Sequence, residues 1–166
     1  MMLGDMYPGG GGGGEDGKGA NARFNCPCGM TVDAAGHIVV VDAGNLRRVS
    51  KAGEVSTLAG NGKEGFADGQ GDAARFYCPF DVALAANDEI VVAYTENHSI
   101  RVDTPGGAVR TLAGNGEVGF ADVQGAAARF NHPTGLARDK DGSILVADQN
   151  NNAVRRVTME VPHSSS

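Results

Sequence analysis

The stretch Ala128-Arg129-Phe130-Asn131-His132-Pro133-Thr134-Gly135 has two earlier counterparts, and their spacing decides the fold. Ala22-Arg23-Phe24 and Ala74-Arg75-Phe76 repeat its first three residues, with the phenylalanines 52 and 54 residues apart. Three residues after each phenylalanine stands a proline (Pro27, Pro79, Pro133). Eleven residues further on, an apolar run begins at Ile38, Ile90 and Ile144. Thr57-Leu58-Ala59-Gly60-Asn61-Gly62 returns unchanged as Thr111-Leu112-Ala113-Gly114-Asn115-Gly116. Self-similarity at so long a period marks a repeat array.

The contents of one repeat distinguish strand from helix. Ile38-Val39-Val40-Val41, Ile90-Val91-Val92-Ala93 and Ile144-Leu145-Val146-Ala147 are short and rich in β-branched residues, which reads as strand buried on both faces. Turn clusters precede them (Asp33-Ala34-Ala35-Gly36, Ala86-Asn87-Asp88-Glu89, Asp139-Lys140-Asp141-Gly142), as hairpins require. Alternating segments follow: Leu46-Arg47-Arg48-Val49, Ile100-Arg101-Val102 and Val154-Arg155-Arg156-Val157. A further glycine turn leads to Val55-Ser56-Thr57-Leu58 and Val109-Arg110-Thr111-Leu112. No helical period competes. Each repeat is four short strands, one propeller blade. The predicted fold is all-β, an open partial β-propeller of four-stranded blades.

The repeats fall at about residues 19–70, 71–124 and 125–158, within a propeller segment 19–158. Residues 1–18, Gly-rich, are expected to be a disordered head, and 159–166 a frayed tail. The third repeat stops after three strands, whereas a closed ring has about 4–8 blades. The open ends are expected to leave apolar blade faces in water, so the chain is expected to self-associate or to bind further blades.

Among 166 residues, Asp and Glu number 20 against 14 Lys and Arg, a formal charge of −6. That balance opposes nucleic-acid binding, which rests on a basic surface. No apolar run approaches the roughly 18 residues of a membrane span, and the N-terminus shows no secretory pattern, so a cytoplasmic location without membrane partners is expected. Three cysteines favour a reducing compartment over a disulfide scaffold.

Asn97-His98-Ser99-Ile100-Arg101, Arg129–Gly135, Asp141–Asp148 and Thr111-Leu112-Ala113-Gly114 together resemble the NHL repeat, over about residues 17–158. The resemblance implies a segment of a commonly six-bladed propeller. NHL-like blades resemble recognition modules set beside other domains in TRIM-type ligases, BTB adaptors and receptor kinases. There are departures: Tyr94 stands where the other repeats have Asp42 and Asp148, and Asp81 where they have Gly29 and Gly135.

Cys26, Cys78 and His132 precede the three prolines and are metal-ligand types at equivalent positions. Blade-equivalent residues reach one ion only close to the ring axis, so no metal or other cofactor is expected. In peptidyl-hydroxyglycine amidating lyases, which resemble this fold, zinc histidines directly follow the same proline. The matching positions here are Cys28, Phe80 and Thr134, and Phe80 cannot ligate a metal. Asp68, Asp72 and Asp122 read as loop hydrogen-bonding groups rather than calcium ligands. Arg23, Arg75 and Arg129, in register with loop acids, read as structural ion pairs or loop clamps, and Arg47-Arg48 and Arg155-Arg156 as the solvated face of an outer strand.

The function expected is a non-catalytic binding scaffold for protein or peptide partners. Its contact surface is the rim where the inner strands begin: Asn25, Cys26, Cys28, Tyr77, Cys78, Phe80, Asp81, Asn131, His132 and Thr134, with Tyr77 and Phe80 as anchors. The alternatives are a metal-assisted hydrolase or lyase of the six-bladed type, and an RNA-binding NHL module.

Overall fold

The computed structural model describes residues 13–159. Among these there is no α-helix, and the strands form three antiparallel sheets that do not close into a ring. Blade 1 comprises β1 (Gly17–Lys18), β2 (Pro27–Val32), β3 (Ile38–Asp42), β4 (Asn45–Val49) and β5 (Glu54–Gly60), in the order β1-β5-β4-β3-β2. Blade 2 comprises β6 (Gly69–Gln70), β7 (Pro79–Leu84), β8 (Ile90–Tyr94), β9 (Ser99–Asp103) and β10 (Ala108–Ala113), in the order β6-β10-β9-β8-β7. Blade 3 has only β11 (Pro133–Arg138), β12 (Ile144–Asp148) and β13 (Ala153–Val157).

The sequence predicts four strands per blade, and the structure adds a fifth. The chain arriving at a blade first lays two residues along that blade's own outer strand: Gly17–Lys18 on Val55 and Glu54, and Gly69–Gln70 on Val109 and Ala108. It then makes a single 3-10 turn and crosses to the inner strand. Residues 13–18 therefore belong to blade 1 rather than to a disordered head, because Asp16 and Gly17 are tied to its outer strand. Residues 1–12 and 160–166 of the predicted head and tail lie outside the described residues, while Met159 packs on the core between blades 2 and 3.

Inner strands β2, β7 and β11 stand side by side, and the cores lie between blades. Between blades 1 and 2, Val39, Val41, Leu46 and Ala59 meet Ala74, Phe76, Val92, Tyr94 and Val109. Between blades 2 and 3, Val91, Ala93, Ile100, Val102 and Ala113 meet Ala128, Phe130, Ile144 and Val146. The Ala-x-Phe motifs at Ala74–Phe76 and Ala128–Phe130 thus supply the wedges that seat blades 2 and 3 on their predecessors. Bare apolar surface is found at both ends. On the leading face of blade 1, Ala22, Val40, Val49 and Val55 are buried, with Phe24 and Ile38 packed against them, while Met30 and Val32, opposite Val40 and Ile38, remain exposed. On blade 3, Val154 remains 78% exposed.

The adjacent arginines do not lie on one solvated face. Neighbours on a strand point to opposite sides, and one of each pair is buried: Arg47 and Arg155, with Arg101 as their equivalent in blade 2. Each guanidinium clamps the arriving chain. Arg47 donates to the carbonyls of Arg23 (3.1 Å) and Glu15 (3.0 Å), Arg101 to those of Arg75 (2.8 Å) and Ala67, and Arg155 to those of Arg129 (2.5 Å) and Ala121 (2.6 Å). Each also grips one carboxylate of that chain: Asp16, Asp68 or Asp122. Arg23, Arg75 and Arg129 lend their carbonyls to these buried arginines, while the side chains of Arg23 and Arg129 pair with Glu15 (3.9 Å) and Glu117 (3.0 Å), and Arg129 also donates to the carbonyls of Ala126, Ala127 and Ala128.

Candidate functional site

The residues just before the inner strands share an uncommon backbone. Cys26, Cys78 and His132 have φ of +68°, +49° and +54°. Side chains other than glycine seldom occupy this left-handed region, and each such residue costs of order 1 kcal/mol or more. The kink is held by a polar group at the end of the next strand or in the turn after it. The amide of Asn25 donates to Asp42 (2.6 Å), that of Asn131 to Asp148 (2.8 Å) and that of Tyr77 to Asn97 (3.0 Å). Asp42 and Asp148 are fully buried and each pairs with its blade's clamp arginine, at 2.8 and 3.0 Å.

This kink fixes what the rim presents. Tyr77 and Phe80 are 40% and 47% exposed on either side of Cys78, and all three cysteines are exposed, free thiols. Cys28 Sγ lies 3.5 Å from the carbonyl oxygen of Pro79, bridging the inner strands of blades 1 and 2. Partial burial pushes the thiols of Cys28 and Cys78 above their ordinary range, so both stay protonated and weakly nucleophilic near neutral pH. Gly29 sits where β2 and β7 come closest. A Cβ there would stand 2.6 Å from Asp81 Cα, so no larger residue fits.

Asp81 is fully engaged as a structural acceptor. One carboxylate oxygen takes the Val82 amide (2.9 Å) and the other the Leu136 amide of blade 3 (2.8 Å), which ties two inner strands together. Thr134 Oγ1 lies 3.5 Å from the Ala147 carbonyl within its own blade. Around His132 the structure gathers residues that carry no signal in the sequence beyond the repeat motif itself. The rings of His98 and His132 meet edge to face, 4.6 Å between centroids, and the His132 amide donates to His98 Nδ1 at 3.1 Å. Glu96 lies 3.7 Å from His132 Nε2, and Asn150 2.8 Å from its Nδ1. Burial, with His132 beside it, holds His98 below the usual histidine range, in keeping with Nδ1 as an acceptor.

Among the described residues no group of three or more His, Cys, Asp or Glu side chains is arranged to hold a metal ion. No helix among them is long and apolar enough to cross a membrane.

Radially neighbouring antiparallel blades, entered through the inner strand and seated by an inter-blade wedge, define a β-propeller segment. Residues 130–156 match the model of the NHL repeat, and the three sheets together form an open β-propeller segment. The chain is 35% identical over 98 residues to the protein SUPPRESSOR OF QUENCHING 1, chloroplastic, of Arabidopsis thaliana, a match covering 58% of this chain and 9% of that protein. An auxiliary nutrient binding protein from Bacteroides thetaiotaomicron superposes with a TM-score of 0.66 at 25% identity, over 78% of this chain and 36% of its own. Virginiamycin B lyase from Staphylococcus aureus shares the fold at 16% identity, with a TM-score of 0.57 over 82% of this chain and 41% of its own. The chain thus spans well under half of each of these three proteins.

Proposed function

We propose that this segment is a non-catalytic binding module that recognises a protein or peptide on the rim at the start of the inner strands. Further blades, from the same or another chain, would complete the ring. The observation that carries this reading is the exposure of Tyr77 and Phe80 on a backbone locked by the kink at Cys78. Two large rings carried on a fixed backbone supply contact area with few torsions to order, which is what binding anchors require. Cys26, Cys28, Asn25, Asn131, His132 and Thr134 line the same rim and supply polar contacts. A reading as hydrolase or lyase has less support. Asp81 is occupied by two backbone amides, burial pushes the thiols of Cys28 and Cys78 above their ordinary range, and Phe80 and Thr134 fill positions where lyase chemistry would need histidine.

Selection from a displayed random-peptide library tests the reading. Enrichment is expected with the unaltered chain and is expected to fall by about 30-fold or more in a Tyr77→Ser, Phe80→Ser double variant, the scale of losing two anchor residues. The melting curve should move little, because both rings are already half exposed. Enrichment that ignores the double substitution, or none at all, would remove the rim from consideration.

A further inference from the structure

The chain seats a guanidinium three times, each time with the same two ingredients. Arg47 lies 5.3 Å from the ring centroid of Phe24 and 2.8 Å from Asp42. Arg101 lies 5.2 Å from the centroids of Phe66, Phe76 and Tyr94, and 2.6 Å from Asp68. Arg155 lies 4.9 and 4.4 Å from those of Phe120 and Phe130, with Asp122 at 2.7 Å and Asp148 at 3.0 Å. An aromatic face attracts the delocalised cation, and a carboxylate fixes it.

The rim of blade 2 gathers these ingredients once more, on its outer surface. Tyr77 and Phe80 are its exposed rings. Gly65 donates its amide to the Phe76 carbonyl (3.2 Å), which brings Glu64 beside Tyr77. Thr95 donates to the Cys78 carbonyl (3.1 Å) and Asn97 accepts the Tyr77 amide, so Glu96, between them in the chain, is brought to the same kink. The Cys78 thiol senses both: burial chiefly, and the nearby charges of Glu96 and Glu64 with it, push its pKa up. Both glutamates are exposed. Among the described residues neither side chain accepts a hydrogen bond, no lysine or arginine pairs with either, and Glu96 approaches only His132 Nε2, at 3.7 Å. Asp81, the next carboxylate along, is taken up by two backbone amides.

The arrangement is confined to blade 2. In blade 3, Val118 and Asn150 replace the two glutamates, and Asn131 and Thr134 replace the two rings. Blade 1 has Asn25 and Cys28 for the rings, and its shorter turn holds no counterpart of Glu96. The combination is thus a feature of this chain and not of the repeat.

We infer that the rim of blade 2 takes an arginine of a partner peptide. Its guanidinium lies on the Tyr77 ring within reach of Glu64 and Glu96, and an apolar side chain next to that arginine covers Phe80. This rests on the rim reading above and adds the partner's charge. A chain of formal charge −6 also draws a cationic segment in at long range. Arginine suits the site better than lysine, because its flat cation stacks on a ring while its fork serves two carboxylates.

The test exposes the full chain to synthetic arrays of short peptides, random except at a central position. That position is arginine in one array and citrulline, its uncharged isostere, in the other. Arginine peptides are expected to bind, and their citrulline counterparts to bind at least about 10-fold more weakly, the scale of a cation–π contact with two exposed ion pairs. A Glu64→Gln, Glu96→Gln variant should lose the same factor toward arginine peptides and treat arginine and citrulline alike, with an unchanged melting curve. A Glu54→Gln, Asp72→Asn variant, which removes the same charge from exposed places elsewhere, should bind as the unaltered chain does. Capture of no arginine peptide would overturn the inference, as would equal binding of the two arrays or an equal loss in the Glu54, Asp72 variant. If binding indifferent to citrulline still vanished in the Tyr77→Ser, Phe80→Ser variant, the rim reading would stand and the arginine would not. Binding that ignores both the glutamate and the ring variants would remove both.

Discussion

Blades 1 and 2 are built on one plan and satisfy the same buried arginine by different chemistry. In blade 1, Arg47 has no exposed surface and faces Asp42, which also has none, at 2.8 Å. In blade 2, Tyr94 replaces that carboxylate. Arg101 lies 5.2 Å from the ring centroids of Phe66, Phe76 and Tyr94, and takes its charge compensation from the loop carboxylate of Asp68. Tyr94 stacks on Phe76 at 4.9 Å and so joins the core between blades 1 and 2. The kink that Asp42 holds in blade 1 passes to Asn97, which lies in a turn longer than its counterpart beside Asn45. Blade 2 carries one more departure: Asp103 replaces Val49 and Val157, is 1% exposed, and finds no hydrogen-bond partner for either oxygen among the described residues. Among the described residues, the buried side-chain atoms without a hydrogen-bond partner are Ser99 Oγ and both Asp103 oxygens in blade 2 and Arg47 Nε in blade 1.

Removing the partner of the buried arginine is the strongest test of that contrast. Asp42→Ala should cost about 3 kcal/mol in a denaturant melt, since it takes from the buried guanidinium its one buried carboxylate, leaving it the half-exposed Asp16, and frees the Asn25 amide. Tyr94→Phe, which keeps the stacked ring, should cost less than about 1 kcal/mol. Similar losses from the two substitutions would show that the blades do not differ as described.

Asp103 gives the next largest effect, with the opposite sign. Burial raises the pKa of its carboxyl from 3.8 to about 7, a rise that Arg101 only partly offsets. Between pH 3.8 and about 7 the folded chain binds more protons than the unfolded one, so stability falls as pH rises through that window and stays reduced above it. Asp103→Val should therefore stabilise the chain by about 2–4 kcal/mol at pH 8, at roughly 1.4 kcal/mol for each tenfold change in proton affinity, and by little at pH 4. Melts at the two pH values check this. A gain independent of pH would mean that the effect is one of packing and not of charge.

The smallest effect separates what the two blades share. Thr57→Val and Thr111→Val each remove a hydroxyl that donates to an exposed loop carboxylate, Asp16 or Asp68, and each should cost about 1 kcal/mol. Equal losses are expected, because the outer strand is held the same way in both blades. Unequal ones would show that Asp16 and Asp68 are not equivalent.

Much of this architecture was legible in one dimension. The repeat interval, the proline before each inner strand and the β-branched runs locate the blades, because strand propensity and turn chemistry are local. The rim residues could also be picked out, since they recur beside the prolines. Their left-handed backbone could not be, because cysteine carries no preference for it and the group that holds it comes from a strand or turn roughly 17 to 20 residues later. Which arginine of each adjacent pair is buried is hidden for a related reason. Two adjacent arginines look like a polar face until one asks which side of the strand the arriving chain covers.

By itself, then, the sequence determined that this protein is a repeating all-β array with three copies of one blade, the last short of its outer strand, because periodicity and local propensity suffice for that. Which arginine is buried, which carboxylate it grips, and that Asp16 belongs to the first blade were decided only by the tertiary structure. Each depends on a segment laid across a strand some thirty residues away in the chain, and on burial between blades that no single repeat contains.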